Sequence, residues 1–75
     1  MEVLFFGQLT DITQSPKLTV AAAADTDSIL QQLHAQFPAL ASATYVVAVN
    51  GQVIQHNTPL EANTTMALLP PFSGG

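Results

Sequence analysis

The chain ends Pro70-Pro71-Phe72-Ser73-Gly74-Gly75, and the carboxylate of Gly75 is the group best placed to do chemistry. Two terminal glycines carry no β-carbon, so the last residues reach φ/ψ values closed to other residues and can thread a narrow channel. That suits a carboxylate that is delivered into the active site of another protein. The competing reading of a bare Gly-Gly is a frayed or cloning-derived terminus. The rigid Pro70-Pro71 pair, the bulky Phe72 and the strand-like run before them favour a functional tail.

No other group offers comparable chemistry. There are no cysteines, which excludes disulfides, thiolate metal sites and a thioester on the chain's own thiol. His34 and His56 are the only histidines, and two separated imidazoles make no metal site; His34 reads as a surface or boundary residue of a helix and His56 as a turn residue. Ser15, Ser28, Ser42 and Ser73 stand in no nucleophile motif, and Glu2, Asp11, Asp25, Asp27 and Glu61 show no pairing that favours acid–base work over solvation or capping. The chain by itself is therefore expected to be non-catalytic and to bind no cofactor.

Composition narrows the partners. The net charge is −4, with Lys17 the only basic side chain, so nothing could neutralise nucleic-acid phosphates. An acidic chain docks more readily on a basic protein. The N-terminal apolar stretch is too short for a signal peptide or a membrane span and lacks a basic flank, and the absence of cysteine fits a cytoplasmic location.

The elements that must position the tail can be read from periodicity. One domain over residues 1–75 is expected, with 70–75 as its tail. Residues 3–9 read as a strand, 10–16 as a polar turn and 17–22 as a second strand forming a hairpin with the first, Leu18 and Val20 alternating with Lys17 and Thr19. Asp25 and Thr26 are N-cap candidates for a helix over 26–37, about 18 Å long, built on Ile29, Leu30, Leu33 and Phe37 and stopped by Pro38. Residues 39–43 allow one more helical turn. A strand over 45–49 enters an Asn50-Gly51 turn, where both residues tolerate positive φ, and Val53 and Ile54 form a short return strand. Residues 66–69 form the last strand, ended by two prolines that cannot donate ladder hydrogen bonds.

The result is a two-layer α+β domain, one main helix against four or five strands. The first and last strands, Val3-Leu4-Phe5-Phe6 and Met66-Ala67-Leu68-Leu69, are apolar on both faces, yet one helix covers one face. Either loops cover the second face or a partner protein does; the second is the favoured reading.

With these landmarks in place, the opening Val3-Leu4-Phe5-Phe6-Gly7, the Val49-Asn50-Gly51 turn and the ending Leu68-Leu69-Pro70-Pro71-Phe72-Ser73-Gly74-Gly75 resemble the small subunit of molybdopterin synthase, a ubiquitin-like sulfur carrier. The likeness runs through the whole chain. It departs from the family at Asn63-Thr64, where Gly-Asp is usual; Asn63 is expected to take the left-handed conformation instead. The resemblance implies a β-grasp fold with a mixed sheet and one main helix on one face. It also implies that a ubiquitin-activating-type adenylyltransferase uses ATP to adenylate Gly75, and that a sulfur-donor enzyme then converts it to a thiocarboxylate. The large synthase subunit would accept the tail and pass its sulfur to a cyclic pyranopterin monophosphate in molybdenum cofactor biosynthesis, in a two-plus-two heterotetramer.

In that scheme Gly74 provides slimness, Phe72 and Ser73 bind the partner, and Pro70 and Pro71 stiffen the exit of a tail that spans about 13 Å from Phe72 when extended. The ubiquitin-like register points Val3, Phe5, Met66 and Leu68 at the core and leaves Leu4, Phe6, Ala67 and Leu69 on the open face, with Val53 extending the patch from the neighbouring strand. Phe6, Leu69 and Phe72 are the expected anchors. The alternatives are a sulfur carrier for thiamine thiazole synthesis, a ubiquitin-like modifier of protein lysines and a purely structural interaction domain.

Overall fold

The computed structural model describes residues 1–71. In chain order the elements are β1 (Glu2–Phe5), α1 (Leu9–Thr13), β2 (Lys17–Thr19), α2 (Thr26–Gln36), α3 (Pro38–Ser42), β3 (Val46–Val49), β4 (Gln52–Ile54) and β5 (Met66–Leu69). The strands form one sheet in the order β2-β1-β5-β3-β4. The first and last strands lie parallel at its centre, and every other neighbouring pair is antiparallel. This mixed five-stranded sheet with its helices on one side is the ubiquitin-like β-grasp arrangement.

The main helix starts where capping chemistry places it. Asp25 is extended, and its side chain accepts a hydrogen bond from the Ser28 N–H at 3.0 Å. Hydrogen bonds to Ser28, through its hydroxyl first and then its backbone, and to Asn57 hold the Asp25 carboxyl below its ordinary range. Thr26 ties this corner to the chain ahead of β5: its N–H donates to the Thr58 carbonyl, and its hydroxyl oxygen accepts from the Thr58 N–H, both at 3.0 Å. The helix ends at Gln36, before Pro38 opens α3.

Two strand-level expectations need correction. Residues 10–16 are not a simple turn: after Phe5 the chain makes a turn and then α1, which buries Leu9 and Thr13 against the core. The helix ends at Gln14, whose φ of 62° is left-handed, and the Gln14 N–H closes onto the Thr10 carbonyl at 2.8 Å. β1 and β2 pair as an antiparallel ladder, Val3 opposite Leu18, with this helical turn between them. Second, Asn63 does not take the left-handed conformation; among the described residues the non-glycine residues with positive φ are Gln14 and Asn50. The turn before β5 closes instead through the Thr64 N–H to the Glu61 carbonyl, 3.0 Å, and the Glu61 N–H to the Thr64 hydroxyl, 2.9 Å.

The Asn50-Gly51 hairpin forms as expected, with φ of 50° and 81°. Asn50 also clamps the start of β5, its side-chain oxygen accepting from the Thr65 N–H at 2.9 Å.

Val3 and Phe5 of β1, Met66 and Leu68 of β5, Ile29 and Leu33 of α2, Leu40 of α3 and Leu9 of α1 make the core. Burying side chains of this size contributes about 1.5–3 kcal/mol each.

Candidate functional site

β5 delivers the chain to its C-terminal end, and its setting defines the site. Alternation along β5 buries Met66 and Leu68 and turns Ala67 and Leu69 to the other face; β1 does the same with Val3 and Phe5 against Leu4 and Phe6. The ladders then place Leu4 opposite Ala67, Ala67 opposite Ala48, and Ala48 opposite Val53, a row of apolar side chains across four strands. Leu69 stands opposite Val46 in the next row. The Phe6 N–H donates to the Leu68 carbonyl at 3.1 Å, which carries the ladder past β1 and holds Phe6 beside Leu69.

The centre of this open face is concave. Ala48, Ala67 and Gly51 are small and form its low ground; Phe6, Val53 and Leu69 stand around them. The hollow measures about 300 Å³ and its lining holds no charged residue. Phe6 is 46% exposed and Val53 55%, the large apolar residues that stand out from the described surface. Among the described residues no helix reaches them, because α1, α2 and α3 all pack on the other side of the sheet around Leu9, Leu33 and Leu40.

Val53 extends the patch from β4, with β3 between it and β5, and it reaches the row because the intervening residue is only Ala48. Val46 and Ala48 belong to the patch although sequence reasoning did not assign them. The period-2 facing of the 46–49 strand was the available signal: Val47 packs in the core, while Val46 and Ala48 stand opposite Leu69 and Ala67, Ala48 being itself buried.

The exit of the tail is built by Pro70 and Gly7. Gly7 has φ +58°, and a β-carbon there would lie 2.8 Å from Pro70 Cγ. Only a glycine lets Pro70 sit this close to the turn after β1. Gly7 was part of the opening motif, but nothing in the sequence tied it to Pro70, sixty-odd residues away. Pro70 is half-buried and Pro71 exposed. Beside them a second groove, about 520 Å³, runs between Leu9 and Ile12 of α1 and Ala43. Phe72, Ser73, Gly74 and Gly75, the other residues expected to bind the partner or carry the chemistry, lie outside the described residues.

The remaining polar groups serve local structure. His34 Nε2 lies 2.8 Å from the Tyr45 hydroxyl, and burial pushes the Tyr45 phenol upward. His56 is exposed in the bend after β4. Lys17 pairs with Glu2 at 3.2 Å, both more than half exposed. Among the described residues no three His, Asp or Glu side chains come together as a metal site, and no helix is long and apolar enough to cross a membrane.

Comparison with known structures agrees with this geometry. SAMP1 from Haloferax volcanii superposes with a TM-score of 0.79 at 27% identity, covering 99% of this chain and 97% of that one. A chain of the protein–protein complex of subunits 1 and 2 of molybdopterin-converting factor from Helicobacter pylori 26695 gives 0.71 at 27% identity, covering 99% and 96%. The small archaeal modifier protein 1 of Methanosarcina acetivorans gives 0.84 at 23% identity over 99% and 94%, a likeness of fold. The ThiS family matches residues 3–75, through the sheet, the Pro70 exit and the terminal glycines alike. On that extent the chain belongs to the ThiS family and has its ubiquitin-like sulfur-carrier fold.

Proposed function

We propose that this protein is the sulfur-carrier subunit of a molybdopterin synthase. The observation that carries the reading is continuity: the uncharged apolar face around Phe6 and Leu69 runs directly into the Pro70 exit. A partner that receives the tail meets this face at the same time. The Helicobacter pylori neighbour, a complex of subunits 1 and 2 of molybdopterin-converting factor, supports a large-subunit partner; the two-plus-two assembly is part of the proposal.

A carboxylate is a poor electrophile, because its charge repels nucleophiles. In the proposed cycle an adenylyltransferase joins the Gly75 carboxylate to the α-phosphate of ATP and releases pyrophosphate. A donor supplying sulfur at the sulfide level then displaces AMP, leaving a thiocarboxylate whose soft anionic sulfur is the nucleophile. The large subunit supplies the pocket and the catalytic side chains; one sulfur passes from each carrier to the cyclic pyranopterin monophosphate, and water takes up the acyl carbon as the C–S bond breaks, restoring the Gly75 carboxylate. Residues 70–75 act as the delivery tail of the single domain.

The test is intact mass after co-expression with the adenylyltransferase and sulfur donor, followed by turnover with the large subunit. A mass gain equal to one oxygen replaced by sulfur, and sulfur transfer to the pterin that is lost when Gly75 is deleted, are the expected results. Full synthase activity without Gly75 overturns the carrier reading.

A second reading is favoured by the small archaeal modifier neighbour at 27% identity: the same activated carboxyl forms amide bonds with protein lysines. The acceptor separates the two. Lysine-linked adducts that survive denaturation point to the modifier, and a thiazole precursor taking the sulfur points to thiamine synthesis.

A further inference from the structure

The tip of the hairpin between β3 and β4 brings together an electrophile, a nucleophile and a leaving group. Asn50 and Gly51 are both exposed. The Thr65 N–H donates to the Asn50 side-chain oxygen at 2.9 Å, which draws electrons from Cγ and makes that amide carbon a better electrophile. The bond engages the amide by its oxygen and leaves the NH2, the leaving group, out of it. A β-carbon at Gly51 would meet nothing within 4 Å, so the Gly51 backbone nitrogen is open to approach.

The other two asparagines are also exposed but lack this arrangement. Each is followed by a threonine, whose branched β-carbon crowds its own nitrogen. Those nitrogens are also engaged: the Thr58 N–H donates to the Thr26 hydroxyl at 3.0 Å, and the Thr64 N–H to the Glu61 carbonyl at 3.0 Å. The Asn57 oxygen further caps α2, accepting from the Asp27 N–H at 2.9 Å.

We propose that Asn50 is a deamidation site of this protein, and that its conversion sets a carboxylate at the edge of the open face. Solvent base takes the Gly51 amide proton, the nitrogen attacks Asn50 Cγ, and the side-chain nitrogen leaves as ammonia. The five-membered succinimide is then opened by water. Attack at the former side-chain carbonyl gives aspartate; attack at the main-chain carbonyl gives isoaspartate. The turn opens locally for the attack, and loops are among the segments that open at least cost.

The position gives the change a consequence. Gly51 and Thr65, the two residues that Asn50 joins, both line the uncharged hollow. Either product adds a negative charge there to a chain that already carries −4. Isoaspartate also runs the main chain through Cβ and Cγ, which lengthens the turn that sets Val49 opposite Gln52 and removes the Thr65 clamp. Docking then buries a carboxylate against apolar surface, at a cost in free energy. This consequence rests on the proposed large-subunit docking; the modification does not.

The full chain, aged in mildly alkaline buffer, tests both parts. The expected mass gain equals one NH2 replaced by OH. Peptide mapping should place it at Asn50 before Asn57 or Asn63, and isoaspartyl methyltransferase should label part of the product. The rate should rise with pH. Asn50→Gln, whose extra methylene disfavours ring closure, should keep its mass under the same treatment. Asn50→Asp should weaken docking on the large subunit by at least about threefold. An unchanged mass under conditions that deamidate the denatured chain overturns the proposal, as does first modification at Asn57 or Asn63, or an equal gain in Asn50→Gln. Unweakened docking of Asn50→Asp overturns the effect on the face. The mass is read without any partner and before any activation of Gly75, so failure here leaves the carrier reading standing.

Discussion

The two faces of this sheet are made from the same four-residue strands, and they differ in almost everything else. On the helix side Val3, Phe5, Met66 and Leu68 are fully buried among Ile29, Leu33 and Leu40. One residue out of step, Leu4, Phe6, Ala67 and Leu69 remain partly or largely open to water. Hydrophobicity does not separate the two sets. Cover does: the helices pack on one side, and the other is left apolar. In a domain of 75 residues, apolar area without cover weakens solubility and adds nothing to folding, which is what an interaction surface looks like.

Four substitutions or conditions sharpen this contrast, and the largest effect belongs to the closed face. Phe5→Ala should cost about 3–5 kcal/mol of stability, because it empties a ring from a packed core; a thermal or denaturant melt measures it. Phe6→Ala, its neighbour in sequence, should hardly move the melt and should weaken docking on the large subunit by about 1–3 kcal/mol, read by titration. If Phe6→Ala melts the protein and Phe5→Ala only weakens docking, the two faces have been exchanged.

Gly7→Ala tests the border between the faces. Its φ of +58° and its approach to Pro70 Cγ resist any β-carbon, so a loss of roughly 1–2 kcal/mol is expected. Sulfur delivery should fall more than the melt implies, because Pro70 has to move.

The smallest effect concerns the cap of α2. The Asp25 carboxyl is held below its usual range by Ser28 and Asn57. A depressed folded-state pKa contributes stability that is present above the unfolded-state value and lost as pH falls through the folded one. Acid titration of the melt should therefore show a loss below the ordinary Asp range that Asp25→Asn reduces, with docking at neutral pH unchanged.

Much of this was legible in the sequence, for reasons that differ by element. The α2 helix was read as 26–37 and found at Thr26–Gln36, since a capping Asp, a helical run of Ile and Leu, and a terminating Pro all agreed. The Asn50-Gly51 turn was equally clear because both residues tolerate positive φ, and the end of the Met66–Leu69 strand because Pro70 and Pro71 cannot donate ladder hydrogen bonds. The α1 turn was not. Five residues make too short a period to rise above a polar background, and its only signature was Leu9, Ile12 and Thr13 at helical spacing. At the site, strand alternation gave the open face with Val53 as its extension, but not Val46 and Ala48, the β3 residues that complete it. The seating of Pro70 on Gly7 joins residues at opposite ends of the chain, and no local pattern encodes it.

The position of β5 has a mechanical consequence. The strand that leads to the tail is a central one, bonded along its length to β1 on one side and β3 on the other. A pull on the tail therefore loads two ladders lengthwise, in shear, and their hydrogen bonds must yield together; a tail on an edge strand would let them open one at a time like a zipper. A partner can draw the tail tight in its channel, or release it against resistance, without peeling the domain apart from its C-terminal end.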